Sequence, residues 1–271
     1  MDGKKIRVGL VGCGAIGRVV ARGVEREGFP ARLAGLTSRT GESARRLSAE
    51  LASSPPVLDL PELLKAADLI VEAVSSEAAR FVIERALRAD RDVLAMTAGA
   101  LVLHPELIGL ARARGRAIHV PSGAVVGLDG VKSAAAGEIH RVAITSTKSI
   151  KTFRNDPEVL RQGVDLDGLK EPYVLFEGSA IEAIRRFPAS VNVSSALSLA
   201  GIGADRTIVR VVVDPRADRT VHEIEVEGDF GRFVTRTENV LSPENARTSQ
   251  LVGLSALATL RGIADPVRIG T

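Results

Sequence analysis

The feature that most constrains this chain is Gly12-Cys13-Gly14-Ala15-Ile16-Gly17, a G-x-G-x-x-G run between an apolar stretch at 6–11 and an amphipathic stretch at 15–27. A bare match carries little weight in 271 residues with 26 glycines. Its place after an N-terminal strand and at the head of a helix is what makes it informative. Gly12 permits the tight turn, Gly14 lets backbone approach a pyrophosphate, and Gly17 allows close helix–strand packing. The helix start at Ala15 and Ile16 favours an anion. This predicts a dinucleotide site for NAD or NADP; the competing reading is a plain strand–helix turn. Cys13 is the only cysteine, so it is read as packing rather than redox-active.

The first half continues the alternation that such a turn requires. Strands are predicted at 6–11, 32–37, 69–74, 92–96 and 117–120, with helices at 15–27, 42–51, 78–89 and 105–114. Helices of this length between strands imply right-handed parallel crossovers and an α/β doubly wound Rossmann sheet. Ligands of such sheets bind beyond the carboxyl ends of the strands, so Val74 joins the expected cofactor contacts. An acid should follow the second strand if only NAD is taken. The sequence has Leu36-Thr37-Ser38-Arg39-Thr40 there, so Ser38 and Arg39 are expected to hold a 2′-phosphate and admit NADP. Arg39 as a solvated loop charge is the alternative.

After Pro121 the texture changes. A short helix at 131–136 is followed by longer alternating strands at 140–147, 207–213 and 220–227, with helices at 180–187 and 192–200 between the first two. Asp214-Pro215-Arg216-Ala217-Asp218 reads as a hairpin connection between the last two strands. This predicts a second, α+β domain with a largely antiparallel sheet. A final helix, about 244–262, is expected to return to the first domain. The predicted division is 1–122, completed by 244–271, for the dinucleotide, and 123–243 for substrate and dimerisation.

Composition narrows the function classes. Basic residues are scattered, aromatics are only 3%, and the formal charge is +3, which speaks against nucleic-acid binding. Apolar windows are broken well short of a membrane span. The N-terminal residues run into a strand without a signal-like apolar region, so the expected location is cytoplasmic.

The four histidines can be weighed singly. His104 precedes a proline at a helix start and reads as a cap or surface residue. His140 has no companion ligand. His119 lies at the carboxyl end of a parallel strand, either structural or lining the cofactor site. In 220–227 the acids Glu223, Glu225 and Glu227 share one face, and His222, Ile224 and Val226 the other. His222 is therefore either a hydrogen-bonded core imidazole or a site residue. Thr145-Ser146-Thr147-Lys148-Ser149-Ile150-Lys151 is dense in donors, and Lys148 or Lys151 could hold an anionic substrate as a point charge, or mark an exposed strand end. Asn192 reads as an N-cap or near-cap. No metal-ligand spacing is present.

Together these residues resemble the L-aspartate dehydrogenase family. The resemblance is carried in order by 8–17, by Pro121-Ser122-Gly123-Ala124 with Gly127-Leu128-Asp129, and by Thr147-Lys148. Phe187-Pro188-Ala189-Ser190-Val191-Asn192-Val193 and Asn245-Ala246-Arg247-Thr248-Ser249 extend it. Ala246-Arg247 departs from the family's usual Pro-Lys. The resemblance implies Ala124 and Asn192 as cofactor contacts near the nicotinamide, a catalytic histidine at His222, a homodimer, use of NAD and NADP, and a role in de novo NAD synthesis. On that reading Lys148 and Ser122 meet the substrate, and the reaction is oxidation of L-aspartate to iminoaspartate, hydrolysed to oxaloacetate and ammonia. Other readings are another two-domain dehydrogenase or reductase, of homoserine or dihydrodipicolinate type, and a non-catalytic NADP sensor.

Overall fold

The computed structural model describes residues 5–188, 192–242, 245–267 and 269–271, with backbone alone at 242 and 245–248. In chain order the elements are β1 (Ile6–Val11), α1 (Ala15–Val24), β2 (Ala31–Thr37), α2 (Glu42–Glu50), α3 (Leu60–Ala66), β3 (Leu69–Glu72), α4 (Ser76–Arg88), β4 (Asp92–Ala95), α5 (Gly99–Leu103), α6 (Glu106–Arg114) and β5 (Ile118–His119). There follow α7 (Leu128–Ala134), β6 (Ile139–Ser149), α8 (Ile150–Phe153), α9 (Pro157–Gln162), β7 (Tyr173–Ser179), α10 (Ala180–Arg186), α11 (Asn192–Ala200), β8 (Ile208–Asp214), β9 (Thr220–Gly228), β10 (Gly231–Asn239), β11 (Leu241–Ser242), β12 (Asn245–Ser249) and α12 (Gln250–Ala264). The chain divides into unit 1, residues 1–123 with 252–269, and unit 2, residues 124–251 with 270–271.

Unit 1 is a five-stranded sheet in the order β2-β1-β3-β4-β5, with every pairing parallel. Alternation along the strands sorts its core into two layers. Val8, Leu10, Leu69 and Val71 pack with Val20, Leu47 and Leu257 on one face. Val11, Ile70 and Val93 pack with Leu63, Ile83 and Leu107 on the other. Apolar strands buried on both faces are what a doubly wound sheet demands. The order reverses at β1, so the crevice at the carboxyl ends of β1 and β3 is the topological switch point. α12 lies against α1: a methyl at Gly23 would fall 2.3 Å from Leu257, and one at Gly253 2.5 Å from Val19. Those two glycines let the helices approach.

Two short helices of unit 1, α3 and α5, go beyond the sequence expectation. α3 carries a complete capping box, Asp59 with Glu62, and a proline in its first turn. β3 ends at Glu72 rather than Val74, and the Glu72 carboxylate accepts the Val74 amide at 2.9 Å.

Unit 2 is built on a mixed sheet, β10-β9-β6-β8-β7, in which only β6 and β8 run parallel. This corrects the expected hairpin: β8 and β9 are sequence neighbours, but β6 lies between them. The hairpin is β9–β10, closed where Gly228 faces Gly231. β7 and β10, the two edge strands, are additions to the three predicted. β6 also runs on to Ser149, which puts Lys148 inside the strand and not beyond it. The predicted start of the last helix at 244 lies outside the described residues; Asn245–Ser249 is a strand, and the helix begins at Gln250.

Candidate active site

In unit 1 the glycine turn sits at the switch point, and its glycines differ in what they allow. Gly12 has φ +100°, and a methyl there would fall 2.2 Å from the Ala73 carbonyl oxygen and 3.1 Å from Val74 Cγ1. Gly17 would place one 2.1 Å from the Gly12 carbonyl oxygen. Both glycines hold the turn closed. A methyl at Gly14 would meet nothing within 4 Å. Gly14 is the exposed N-cap of α1, with no side-chain cap and no acid in the first turn. The space beside Gly14 is therefore open, next to the positive end of the α1 dipole. This cradle fits a pyrophosphate.

The surroundings of the turn are held from three strands. The Gly12 amide donates to the Thr37 carbonyl at 2.9 Å, and Ala73 donates to Val11 at 2.9 Å. Ser38 is half-buried and accepts the Ala44 amide at 3.3 Å, while Arg39 is exposed beside it. Cys13 is buried, lies 3.7 Å from the Thr37 carbonyl, and burial pushes its thiol up to about 11, as packing requires and redox chemistry does not. Glu72, fully buried at the end of β3, accepts the amide and hydroxyl of Thr97 at 3.0 and 2.9 Å as well as the Val74 amide. Its burial outweighs those donors and raises its pKa. It joins the loops after β3 and β4.

In unit 2 the inward face of the sheet is apolar along most of its length. Val142, Ile144, Val209, Val211, Ile224 and Val226 are buried there. Its polar end holds Ser146 and Lys148 on β6, His222 on β9 and Thr237 on β10. Ser146 and Thr237 flank His222 in register. His222 is 4% exposed and Lys148 7%. The His222 Nδ1 lies 2.9 Å from the fully buried Ser146 hydroxyl. Burial, with the Lys148 charge, takes the imidazole down to about 3. Burial likewise brings the Lys148 ammonium down to about 8, with Asp156 pulling the other way. The site thus holds a neutral imidazole beside a buried ammonium.

Ala124, buried, is gripped by β10. The Thr237 hydroxyl and the Asn239 amide nitrogen both donate to its carbonyl, at 3.1 and 2.9 Å. Thr235 donates to the Val126 carbonyl at 3.1 Å, and the Ser249 hydroxyl donates to Asn239 Oδ1 at 2.7 Å. Three alternate residues of one strand face thus fix the 124–126 segment.

A family model described as "Aspartate dehydrogenase, C-terminal" matches residues 129–263, and one described as "Homoserine dehydrogenase, NAD binding domain" matches residues 12–121. An L-aspartate dehydrogenase of Methanosarcina acetivorans is 44% identical over 270 residues, 98% of this chain and 100% of that protein. One of Bradyrhizobium diazoefficiens is 38% identical, over 98% of this chain and 95% of that one. The chain belongs to the L-aspartate dehydrogenase family. The crystal structure of an aspartate dehydrogenase from Thermotoga maritima shares the fold, with a TM-score of 0.76 at 24% identity, covering 98% of this chain and 99% of that one.

Unit 1 is the NAD-binding domain of this family member, an oxidoreductase, and it gathers Gly12, Gly14, Ala15, Ile16, Gly17 and Val74 at one crevice. Ser122 is half-buried and belongs to unit 1. Unit 2 gathers His222 and Lys148, and places Asn192, exposed, as the first residue of α11. Of the motif at 187–193, residues 189–191 lie outside the described residues, as does the Arg247 side chain. The remaining histidines are placed elsewhere. His104 pairs with Glu106 at 3.3 Å, His119 ends β5, and His140 pairs with Asp229 at 3.0 Å on the surface. Among the described residues no helix is long and apolar enough to cross a membrane.

Sequence reasoning missed Glu72, Ser146 and Asn239 as site-forming residues. Glu72 had a signal, an acid closing the otherwise apolar run Leu69-Ile70-Val71. Ser146 and Asn239 gain their meaning only from strand register.

Proposed function

We propose that this chain oxidises L-aspartate with NAD or NADP to iminoaspartate, which water converts to oxaloacetate and ammonia. The observation that carries the reading is the neutral imidazole of His222 beside the Lys148 ammonium, at the one polar end of an apolar sheet face. Amine oxidation needs a base for the substrate's ammonium, and a dicarboxylate needs a fixed cation. Both are here. The L-aspartate dehydrogenase activity for which the relatives are named and the match of residues 129–263 to an aspartate dehydrogenase model favour aspartate over homoserine or a cyclic dicarboxylate.

Lys148 holds one substrate carboxylate as a point charge, and that carboxylate in turn favours the protonated ammonium. His222 takes a proton from the substrate ammonium, which frees the nitrogen lone pair to form the C=N bond. When bound, the cofactor would supply at its nicotinamide the acceptor for the Cα hydrogen and its electron pair. Once it has released that proton to solvent, His222 is again neutral and can accept one from the water that attacks the imine. The first-turn amides of α1 and Gly14 hold the pyrophosphate, with Val74 beside the turn. Ser38 and Arg39 receive the 2′-phosphate of NADP, and Ala124 and Asn192 contact the cofactor near its nicotinamide. Ser122 contacts substrate. We further propose a cytoplasmic homodimer that supplies de novo NAD synthesis.

The test is turnover of L-aspartate with each cofactor, followed by absorbance of the reduced nicotinamide, with homoserine as a control. Substitution His222→Ala is expected to lower kcat by about 10²–10⁴-fold while NAD(P) binding stays normal. Full turnover by that variant, or a strong preference for another substrate, rejects the reading. Tight NADP binding without turnover of any substrate would mark a sensor instead.

A further inference from the structure

Ser146 is fully buried in the middle of the sheet, where an alanine or valine would pack without a polar group to satisfy. Among the described residues its hydroxyl has one partner, His222 Nδ1 at 2.9 Å. The register makes that contact structural rather than incidental: Ser146 is the β6 residue directly across from His222, in line with the apolar pairs Ile144–Ile224 and Val142–Val226. A buried hydroxyl that lost its one partner would keep its desolvation penalty with nothing to offset it. The position therefore serves the imidazole.

We propose that Ser146 is the positioning residue of His222, accepting a hydrogen bond from Nδ1–H and so leaving the Nε2 lone pair for the substrate. The inference rests on the proposed role of His222 as base. Chemistry selects this direction of the bond. If the hydroxyl donated into Nδ1, the neutral ring would carry its proton on Nε2 and have no lone pair there to accept another. With Nδ1–H donating, the same bond persists when a proton arrives at Nε2, because the imidazolium carries hydrogen on both nitrogens. No partner has to rotate during the proton transfer. The bond also fixes the ring plane, since a flip about Cβ–Cγ would put a C–H against the Ser146 oxygen. Unlike a carboxylate partner, a hydroxyl adds no negative charge, which keeps the free imidazole neutral.

Two measurements test this on the full-length enzyme. The first is a double-mutant cycle of Ser146→Ala and His222→Gln, read as single-turnover reduction of NAD(P) with saturating L-aspartate. Ser146→Ala alone is expected to lower the rate roughly tenfold to a hundredfold, with KM for both substrates within about threefold. In the His222→Gln background the same change is expected to have no further effect. The second is the nitrogen NMR signature of His222 in the free protein, assigned by its loss in His222→Gln; the chain has only four histidines. A single Nδ1–H tautomer is expected, giving way to a mixture in Ser146→Ala and restored in Ser146→Thr. An unchanged rate in Ser146→Ala, an equal drop in both backgrounds, or an Nε2–H tautomer in the wild type overturns the proposal. Full turnover by His222→Gln with the tautomer as expected would overturn the catalytic reading of His222 and leave the pairing itself standing.

Discussion

At the scale of single residues, the glycine turn separates two roles that look identical on paper. Gly12 carries φ +100° and has a carbonyl oxygen where a Cβ would go, so Gly12→Ala strains backbone and clashes with Ala73, just after β3. Gly14 has φ −80° and open space in the same direction. Gly14→Ala is therefore expected to keep the wild-type Tm and to lose NAD(P) affinity at least tenfold, since its methyl enters the space left for the pyrophosphate. Gly12→Ala is expected to lower Tm as well. Thermal unfolding with and without cofactor distinguishes them; equal Tm losses in both variants would refute the cradle. This turn was legible in the sequence because its chemistry is local to six residues. Lys148 was only half legible. Its donor-rich surroundings suggested a strand end, yet pairing of β6 with β8 and β9 draws it into the sheet and buries it. Its lowered pKa near 8 is a product of that burial, which sequence does not carry.

At the scale of elements, β10 shows why a strand can hide. Its outward residues are Arg232, Val234, Arg236 and Glu238, and its inward ones Phe233, Thr235, Thr237 and Asn239. Both faces are mostly polar, so the alternation that marks a half-buried strand is missing. The inward side chains are polar because they grip backbone carbonyls of 124–126 and not a hydrophobic layer. The unit 1 strands, apolar on both faces, were legible for the opposite reason. The grip makes a prediction at this scale. Asn239→Ala removes one of two donors to the Ala124 carbonyl and leaves the Ser249 hydroxyl without its acceptor. Stability is expected to fall by about 1–3 kcal/mol. If the segment presents Ala124 to the nicotinamide, KM for NAD(P) rises roughly threefold to tenfold with kcat for saturated enzyme little changed. Denaturant titration and steady-state kinetics on one preparation check both. A stability loss with unaltered KM would reduce β10 to a structural strand.

At the scale of the whole molecule, the buried ionisable groups give the two units opposite responses to acid. In unit 2, the imidazole of His222 stays neutral in the folded state down to about 3, whereas an unfolded histidine takes a proton near 6.5. Between those values the unfolded chain binds more protons, so stability falls as pH falls, with a slope approaching about 1.4 kcal/mol per pH unit for this one site. Glu158 adds to it. Hydrogen bonds from Arg161 and, against burial, from Gln162 and Arg186 hold that carboxyl near 2, so its contribution is present above the ordinary carboxylate range and lost as pH drops toward 2. In unit 1, Glu72 is raised by burial. The folded state then keeps a proton that the unfolded state has released, and stability from this site rises as pH falls through the folded pKa. Lowered carboxylates in unit 1, such as Glu50 beside Arg18 and Arg22, are on the surface, where screening leaves them little weight. Unit 2 is therefore expected to be the acid-labile part. Limited proteolysis at stepwise lower pH should cut first within 124–251, and His222→Gln should shift that onset to lower pH. First cleavage within 5–123 on acidification would mean that Glu72 and His222 do not govern the pH response of their units.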